Sequence, residues 1–316
     1  RPVIDPKRKV VARGHALLQP RIGVDLNAAS RSLFSSFYAG QGGIDPYSSA
    51  SGDVYMDLFG QGTYTGKGII DVSAALKCLD GRFPDGKILS HDLLEGCYLR
   101  AGLISDVELS DGWPYKVTSY LVRLHRWTRG DWQLLPYLFR RVKTRDGKRE
   151  KNPLDDLARL RIFDNLRRSL VSPALFAALL AGIIFGGMPL VITALIALIC
   201  SMSNLLITCA TTFFRSGLNG RARYHSAIIS GAYGVFFTTL LQLIFLPSTA
   251  WFSFSAAVTA LWRMLVSHKT LLQWQTAAQR AGKRDGLGAY WRALWPASAL
   301  GLLTAVLTPS PTGLAA

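Results

Sequence analysis

Two carboxylates three residues apart, Asp92 and Glu95 in Ser90-His91-Asp92-Leu93-Leu94-Glu95-Gly96, share one face of a helix if that segment is helical. An ionised carboxylate in such a place can take the proton of a sugar hydroxyl. Acids in a first helical turn are equally explained by their attraction to the helix dipole. Further along, Arg123-Leu124-His125-Arg126-Trp127-Thr128-Arg129-Gly130-Asp131-Trp132-Gln133 packs three Arg and two Trp into eleven residues. Guanidinium forks suit a diphosphate and indole faces suit a sugar ring. An amphipathic helix lying on a membrane, with Trp at headgroup level, accounts for the same pattern. The Gly-rich stretch Gly62-Thr63-Tyr64-Thr65-Gly66-Lys67-Gly68 is not a Walker loop, because no Gly lies five positions before Gly66 and Gly68 follows Lys67. A turn that reverses the chain is its plain reading. There is no Asp-x-Asp, the four cysteines form no C-x-x-C, and His15, His225 and His268 lack ligand spacing, so no metal site is expected within this chain.

These residues need elements to hold them, and composition says which. Nearly half of the 316 residues are hydrophobic (49%), more than an ordinary soluble chain carries. The net charge of +16 is spread unevenly: residues 1–168 hold 27 basic and 19 acidic side chains, residues 169–316 hold 9 and 1. In the second part the cations separate long uncharged stretches, which the positive-inside rule explains better than nucleic acid does. Ser169 to Phe214 is uncharged for 46 residues, about 69 Å of helix at ~1.5 Å per residue, or two crossings with a turn at Gly186-Gly187-Met188-Pro189. Ser226 to Trp262, with Pro247 near its middle, allows two short crossings or two helices in the interface. Ala293 to Ala316 fits one crossing that starts near Pro296. Three to five spans follow. Arg215, Arg221 and Arg223, then Lys269, Arg280, Lys283 and Arg284, belong on the cytoplasmic side with residues 1–168.

The expected organisation is therefore an α/β part over 1–138, a basic juxtamembrane segment over 139–168, and membrane and interface helices over 169–316. Gly14 to Gln19 reads as strand and Val72 to Leu79 as helix. Eleven basic residues against five acids between Arg140 and Arg168 suit anionic headgroups, or a solvated helix of ion pairs such as Asp155 with Arg159. The cysteines suggest no disulfides and so a reducing compartment. The opening Arg1-Pro2-Val3 is expected to follow further chain.

Asp92, followed 34 residues later by Arg126-Trp127 just before a membrane region, resembles processive family-2-type glycosyltransferases such as cellulose synthase, which carry Thr-Glu-Asp and then Gln-x-x-Arg-Trp. Asp45-Pro46-Tyr47, Asp53-Val54-Tyr55-Met56-Asp57-Leu58-Phe59-Gly60, Gly66-Lys67-Gly68 and Leu271 to Gln279 resemble more narrowly the cyclic β-1,2-glucan synthases. The resemblance implies part of a GT-A-like α/β domain followed by three to five transmembrane helices in a bacterial inner membrane. It implies Asp92 as general base, Arg126 and Trp127 for donor diphosphate and acceptor sugar, and Tyr64, Gly66 and Lys67 in a loop beside the acceptor. Ser90 and His91 stand where Thr and Glu are usual, and Arg123 stands where Gln is. His91 and Glu95 flank the base. UDP-glucose, a growing β-glucan and the bilayer are the implied partners, with Mg²⁺ or Mn²⁺ held by ligands upstream, so that this piece alone would be inactive. Another processive β-glucan synthase, or a transport or scaffold protein, is the alternative. Asn204, Tyr233, Gln242, Trp251 and Trp262 are candidate linings for a glucan path, and Trp262, Arg263 and Trp274 candidate interface anchors.

Overall fold

The structure is a computed structural model that describes residues 1–39, 53–89, 91–215, 223–273, 279 and 285–307. A hairpin of β1 (Val3–Asp5) and β2 (Val10–Arg13) precedes a three-stranded sheet of β3 (Leu17–Val24), β4 (Ile69–Ile70) and β5 (Ala101–Asp111), in the order β4-β3-β5. β3 is parallel to β5 and antiparallel to β4. The expected strand thus starts at Leu17 rather than Gly14, where φ is +70° and the chain turns. The β3–β5 register slips after Pro20, which has no N–H to give the ladder.

Between β3 and β5 the chain forms α1 (Leu26–Ala29), α2 (Leu33–Tyr38), α3 (Val54–Phe59), α4 (Val72–Leu79) and α5 (Asp92–Leu99). After β5 come α6 (Val117–Gln133), a 3₁₀ turn (Leu135–Leu138), the hairpin β6 (Arg141–Lys143) and β7 (Arg149–Lys151), and α7 (Asp156–Ser169). One core joins β3, α4, Leu99 and Ala101 around Leu17 and Cys78; the other joins α5, the 3₁₀ turn and α7 around Leu94, Tyr98, Tyr137 and Ile162. Leu94 and Tyr98, a turn apart and fully buried, fix the rotation of α5. Burying Leu94 contributes roughly 1.5–3 kcal/mol, and the pair turns Asp92 and Gly96 toward the Gly-rich loop.

The uncharged second part is helical. α8 (Val171–Phe185) and α9 (Gly187–Arg215) meet at Gly186 and Gly187, whose φ of +64° and +55° make the expected turn. α10 (Arg223–Trp262) ends in a π turn (Arg263–Ser267), and α11 (Leu287–Leu307) follows. Among the described residues, Asp156–Phe185 and Phe236–Ser267 are long and apolar enough to cross a membrane.

Two expectations are corrected. Pro247 does not divide its stretch, because α10 runs through it. Packing explains this: Leu246 to Ala250 are all buried, and the Thr249 hydroxyl donates to the Leu246 carbonyl at 3.0 Å. Likewise the last helix starts at Leu287, and Pro296 lies inside it. The second half of α10 runs alongside α6 in the same direction. Phe34 and Tyr38 of α2 touch both Tyr120 and Phe245, His125 faces Phe252, and Arg129 donates to the carbonyls of Leu271 and Gln273.

Candidate active site

The loop from Gly62 to Gly68 is held from several sides by groups that satisfy its backbone. Asp53, 1% exposed, caps α3 through Oδ1, which accepts from Tyr55 and Met56, while its Oδ2 accepts from the Thr63 amide at 2.7 Å. Gln19 accepts from the Thr65 amide at 3.0 Å, the Gly62 amide donates to the Ala101 carbonyl at 2.7 Å, and buried Arg161 donates to the carbonyls of Gln61 and Gly62. A loop with its amides paired in a protein interior is set rather than adaptable.

Tyr64 fills the space above α5. A Cβ on Gly96 would lie 2.9 Å from the Tyr64 Cβ, so only glycine allows this approach. Burial raises the phenol's pKa, and Glu95 and Asp92 push the same way, against a backbone hydrogen bond from Gly68. Gly66 takes φ +89°, and a Cβ there would stand 3.6 Å from Asp92 Oδ2. The bare backbone of Gly66 therefore leaves the carboxylate's approach open.

Asp92 is the first residue of α5, so the expected helix is present and both acids lie in its first turn. Burial raises the pKa of Asp92, opposed by His91 and Arg126. Burial also raises that of Glu95, with Asp92 adding to the effect and His91 opposing it. His91 Nδ1 stands 3.7 Å from Glu95 Oε1, which together with its effect on Asp92 makes it a neighbour of both carboxylates. Arg126, one face of α6, feels Asp92 in return: burial lowers its pKa and the carboxylate raises it. Asp92, Glu95, His91, Tyr64, Gly66 and Arg126 are thus brought together.

Arg123 and Trp127 are used differently. Arg123 is buried with its guanidinium 4.2 Å from the Trp127 ring centre and 5.0 Å from that of Trp113. Each such contact is worth up to about 2 kcal/mol when desolvated. Burial brings the Arg123 pKa down to about 10. One indole face of Trp127 is therefore occupied by Arg123, which orients the ring. Lys67, at φ +64°, gives its ammonium to Asp111 at 2.7 Å; contact with a diphosphate would mean exchanging that partner. Among the described residues no cluster of three or more His, Cys, Asp or Glu is placed to hold a metal ion.

Sequence reading missed the residues that position the rest. Asp53, Gln19 and Arg161 set the loop, and Trp113 sets Arg123. Gln133 accepts from the Leu89 amide at 2.6 Å and donates to the Leu271 carbonyl at 3.1 Å, tying the approach to α5 to the segment after α10. The signal for Asp53 was its place before a short helical run, an N-cap pattern; nothing local marks Gln19 or Gln133. Of the path and anchor candidates, Trp251 packs edge-on against Trp295 at 5.1 Å, Gln242 is half-buried and Trp262 is exposed. Ser90, Trp274, Asp45, Pro46, Tyr47, Arg221, Arg280, Lys283, Arg284 and the side chains of Asn204, Arg215, Arg223, His225 and Tyr233 lie outside the described residues.

No family model matches the chain. It is 37% identical over 320 residues to the cyclic beta-(1,2)-glucan synthase NdvB of Rhizobium meliloti (strain 1021), an alignment that takes in 99% of this chain and 11% of that relative. The resemblance read from the motifs is borne out over nearly the whole chain. The chain spans only 11% of the length of the curated relative it matches.

Proposed function

We propose that this chain is the acceptor side and membrane region of an inverting glycosyltransferase that moves glucose from UDP-glucose onto a growing β-1,2-glucan. The observation that carries the reading is Asp92 at the head of α5, beside the bare backbone of Gly66 and within the field of Arg126. The 37% identity to a named glucan synthase supports the choice of substrate class.

In this reading a glucan hydroxyl sits in the space left by Gly66 and gives its proton to Asp92 as its oxygen attacks the anomeric carbon. The UDP leaves from the opposite face, which inverts the configuration. Desolvation makes Asp92 a stronger base than a free carboxylate, and Arg126 favours its ionised form while offering positive charge to the diphosphate. Glu95, with His91 beside it, hydrogen-bonds neighbouring sugar hydroxyls, and Trp127, oriented by Arg123, presents its other face to a sugar ring. A divalent cation belongs to this reading, but the described residues supply no ligand set, and no step is assigned to it.

The α8–α9 pair crosses the bacterial inner membrane, while the half of α10 that follows α6 lies along the cytoplasmic face and holds residues 1–168 there. That course agrees with cations on both sides of α10 facing one compartment. The test is transfer of labelled glucose from UDP-glucose in membranes holding the full-length parent. Wild type should make β-1,2-linked glucan. Asp92→Asn, present in the membrane at equal amount, should lose roughly 10²–10⁴-fold in rate. A fully active Asp92→Asn removes the base assignment, and linkage analysis of the product decides the substrate reading.

A further inference from the structure

A cavity of about 600 Å³ that Asp92 does not line lies where the end of α10 meets the β6–β7 hairpin. Its apolar lining has buried Ile88 and half-buried Leu135 on one side, and half-buried Leu261 and Met264 with exposed Leu265 on the other. Its rim carries Lys87, Arg140, Arg141, Lys143 and Arg149, and no Asp or Glu lines it. The nearby acids are turned elsewhere: Glu150 pairs with Arg82, and Asp80 and Asp85 pair with Arg145. Among the described residues none of the five rim cations makes an ion pair.

Five like charges around an apolar hollow repel one another and concentrate anions at its mouth. A small hydrophilic anion would satisfy the rim and leave the wall wet. A neutral hydrophobic ligand would fill the hollow and leave the rim uncompensated. An amphiphile with an anionic head and a hydrocarbon tail satisfies both. We propose that this cavity binds one anionic phospholipid, its phosphate held by Arg141, Lys143 and Arg149 and an acyl chain laid against Met264 and Leu265. The proposal rests on the reading above in placing the end of α10 at the cytoplasmic face of a bilayer, where such a lipid is presented. Gln133 and Leu271 also line the cavity, and they form the clasp that reaches Leu89 ahead of Asp92. A seated lipid would brace that clasp.

The experiment uses the full-length parent extracted from bacterial membranes in mild detergent, with co-purified phospholipid counted by mass spectrometry. Wild type should retain about one anionic phospholipid per chain. Arg141→Glu/Lys143→Glu should lose it by fivefold or more for each cation removed, as roughly 1 kcal/mol per basic residue near a charged surface implies. Lys148→Glu, on the same hairpin but outside the cavity lining, should retain it. Met264→Trp, which sets a bulkier, rigid side chain where the acyl chain would lie, should also lose it. The proposal is overturned if the double variant keeps its lipid, if Lys148→Glu loses as much, or if the retained lipid is zwitterionic. It is also overturned if Met264→Trp keeps its lipid as wild type does, since the apolar hollow then plays no part in holding it. Carbonate extraction separates the two readings: protein released from the membrane defeats the membrane placement, whereas protein that stays without bound anionic lipid defeats only the cavity.

Discussion

Replacing Asp53 with Asn should loosen the Gly62–Gly68 loop without unfolding the helix beside it. The two carboxylate oxygens have separate duties, one capping α3 and the other taking the Thr63 amide at 2.7 Å. An Asn keeps an oxygen for the cap but sets an NH₂ against the Thr63 N–H, donor against donor. A hydrogen bond to a buried charged group contributes about 1.5–3 kcal/mol, so exchange of the Thr63 amide should quicken by roughly 10–100-fold. Hydrogen exchange on the full-length protein, read on peptides covering Tyr55–Met56 and Gly60–Gly68, checks this. The α3 peptide should keep its protection in Asp53→Asn and lose it in Asp53→Ala, where the cap also goes at a cost of about 1 kcal/mol. If the loop serves the reaction proposed above, glucose transfer should fall with its protection. Unchanged Thr63 exchange in Asp53→Asn, or equal loss over α3 and the loop, would refute the division of labour between the two oxygens.

Gly66→Ala should impair transfer far more than Gly81→Ala, because both residues have positive φ (+89° and +72°) but only a methyl on Gly66 meets Asp92; paired kinetics separate the site effect from backbone strain. If Asp92 is the base, the rate rises with pH as it ionises, and Arg126→Gln removes a cation that lowers its pKa, so the acid limb of the pH–rate profile should move to higher pH. Asp131 is half-buried, and desolvation raises its pKa to about 6 against a hydrogen bond from Asn165. A carboxyl whose folded pKa exceeds its unfolded value binds its proton more tightly when folded, so this contribution to stability is complete below about pH 4 and is lost as the pH rises to about 6. Thermal denaturation of Asp131→Asn should lack that decline, and a decline equal to wild type would place the titration elsewhere.

Local chemistry made some of this molecule legible before any coordinates. Uncharged runs had to be helices, because a backbone without water must satisfy its own N–H and C=O groups, and α8, α9 and their glycine turn follow. Asp92 and Glu95 shared a helical face by spacing alone, and the motif order supplied the resemblance that the relative bears out. Pro247 and Pro296 misled because a proline costs a helix only one hydrogen bond, a local loss that at Pro247 the burial of the surrounding residues outweighs. That the second half of α10 would pack along α6 could not be read from its hydrophobicity, since α6 and a bilayer cover an apolar face alike. Nor could Arg123 be read as the support of Trp127, or Gln133 as a clasp on Leu89 and Leu271, residues 44 and 138 positions away. Sequence set the kinds of element and the reactive groups, because periodicity and charge act within a few residues. Which side chain is occupied and which keeps a free face was settled by tertiary packing, which pairs groups by shape and unsatisfied hydrogen bonds without regard to their separation along the chain.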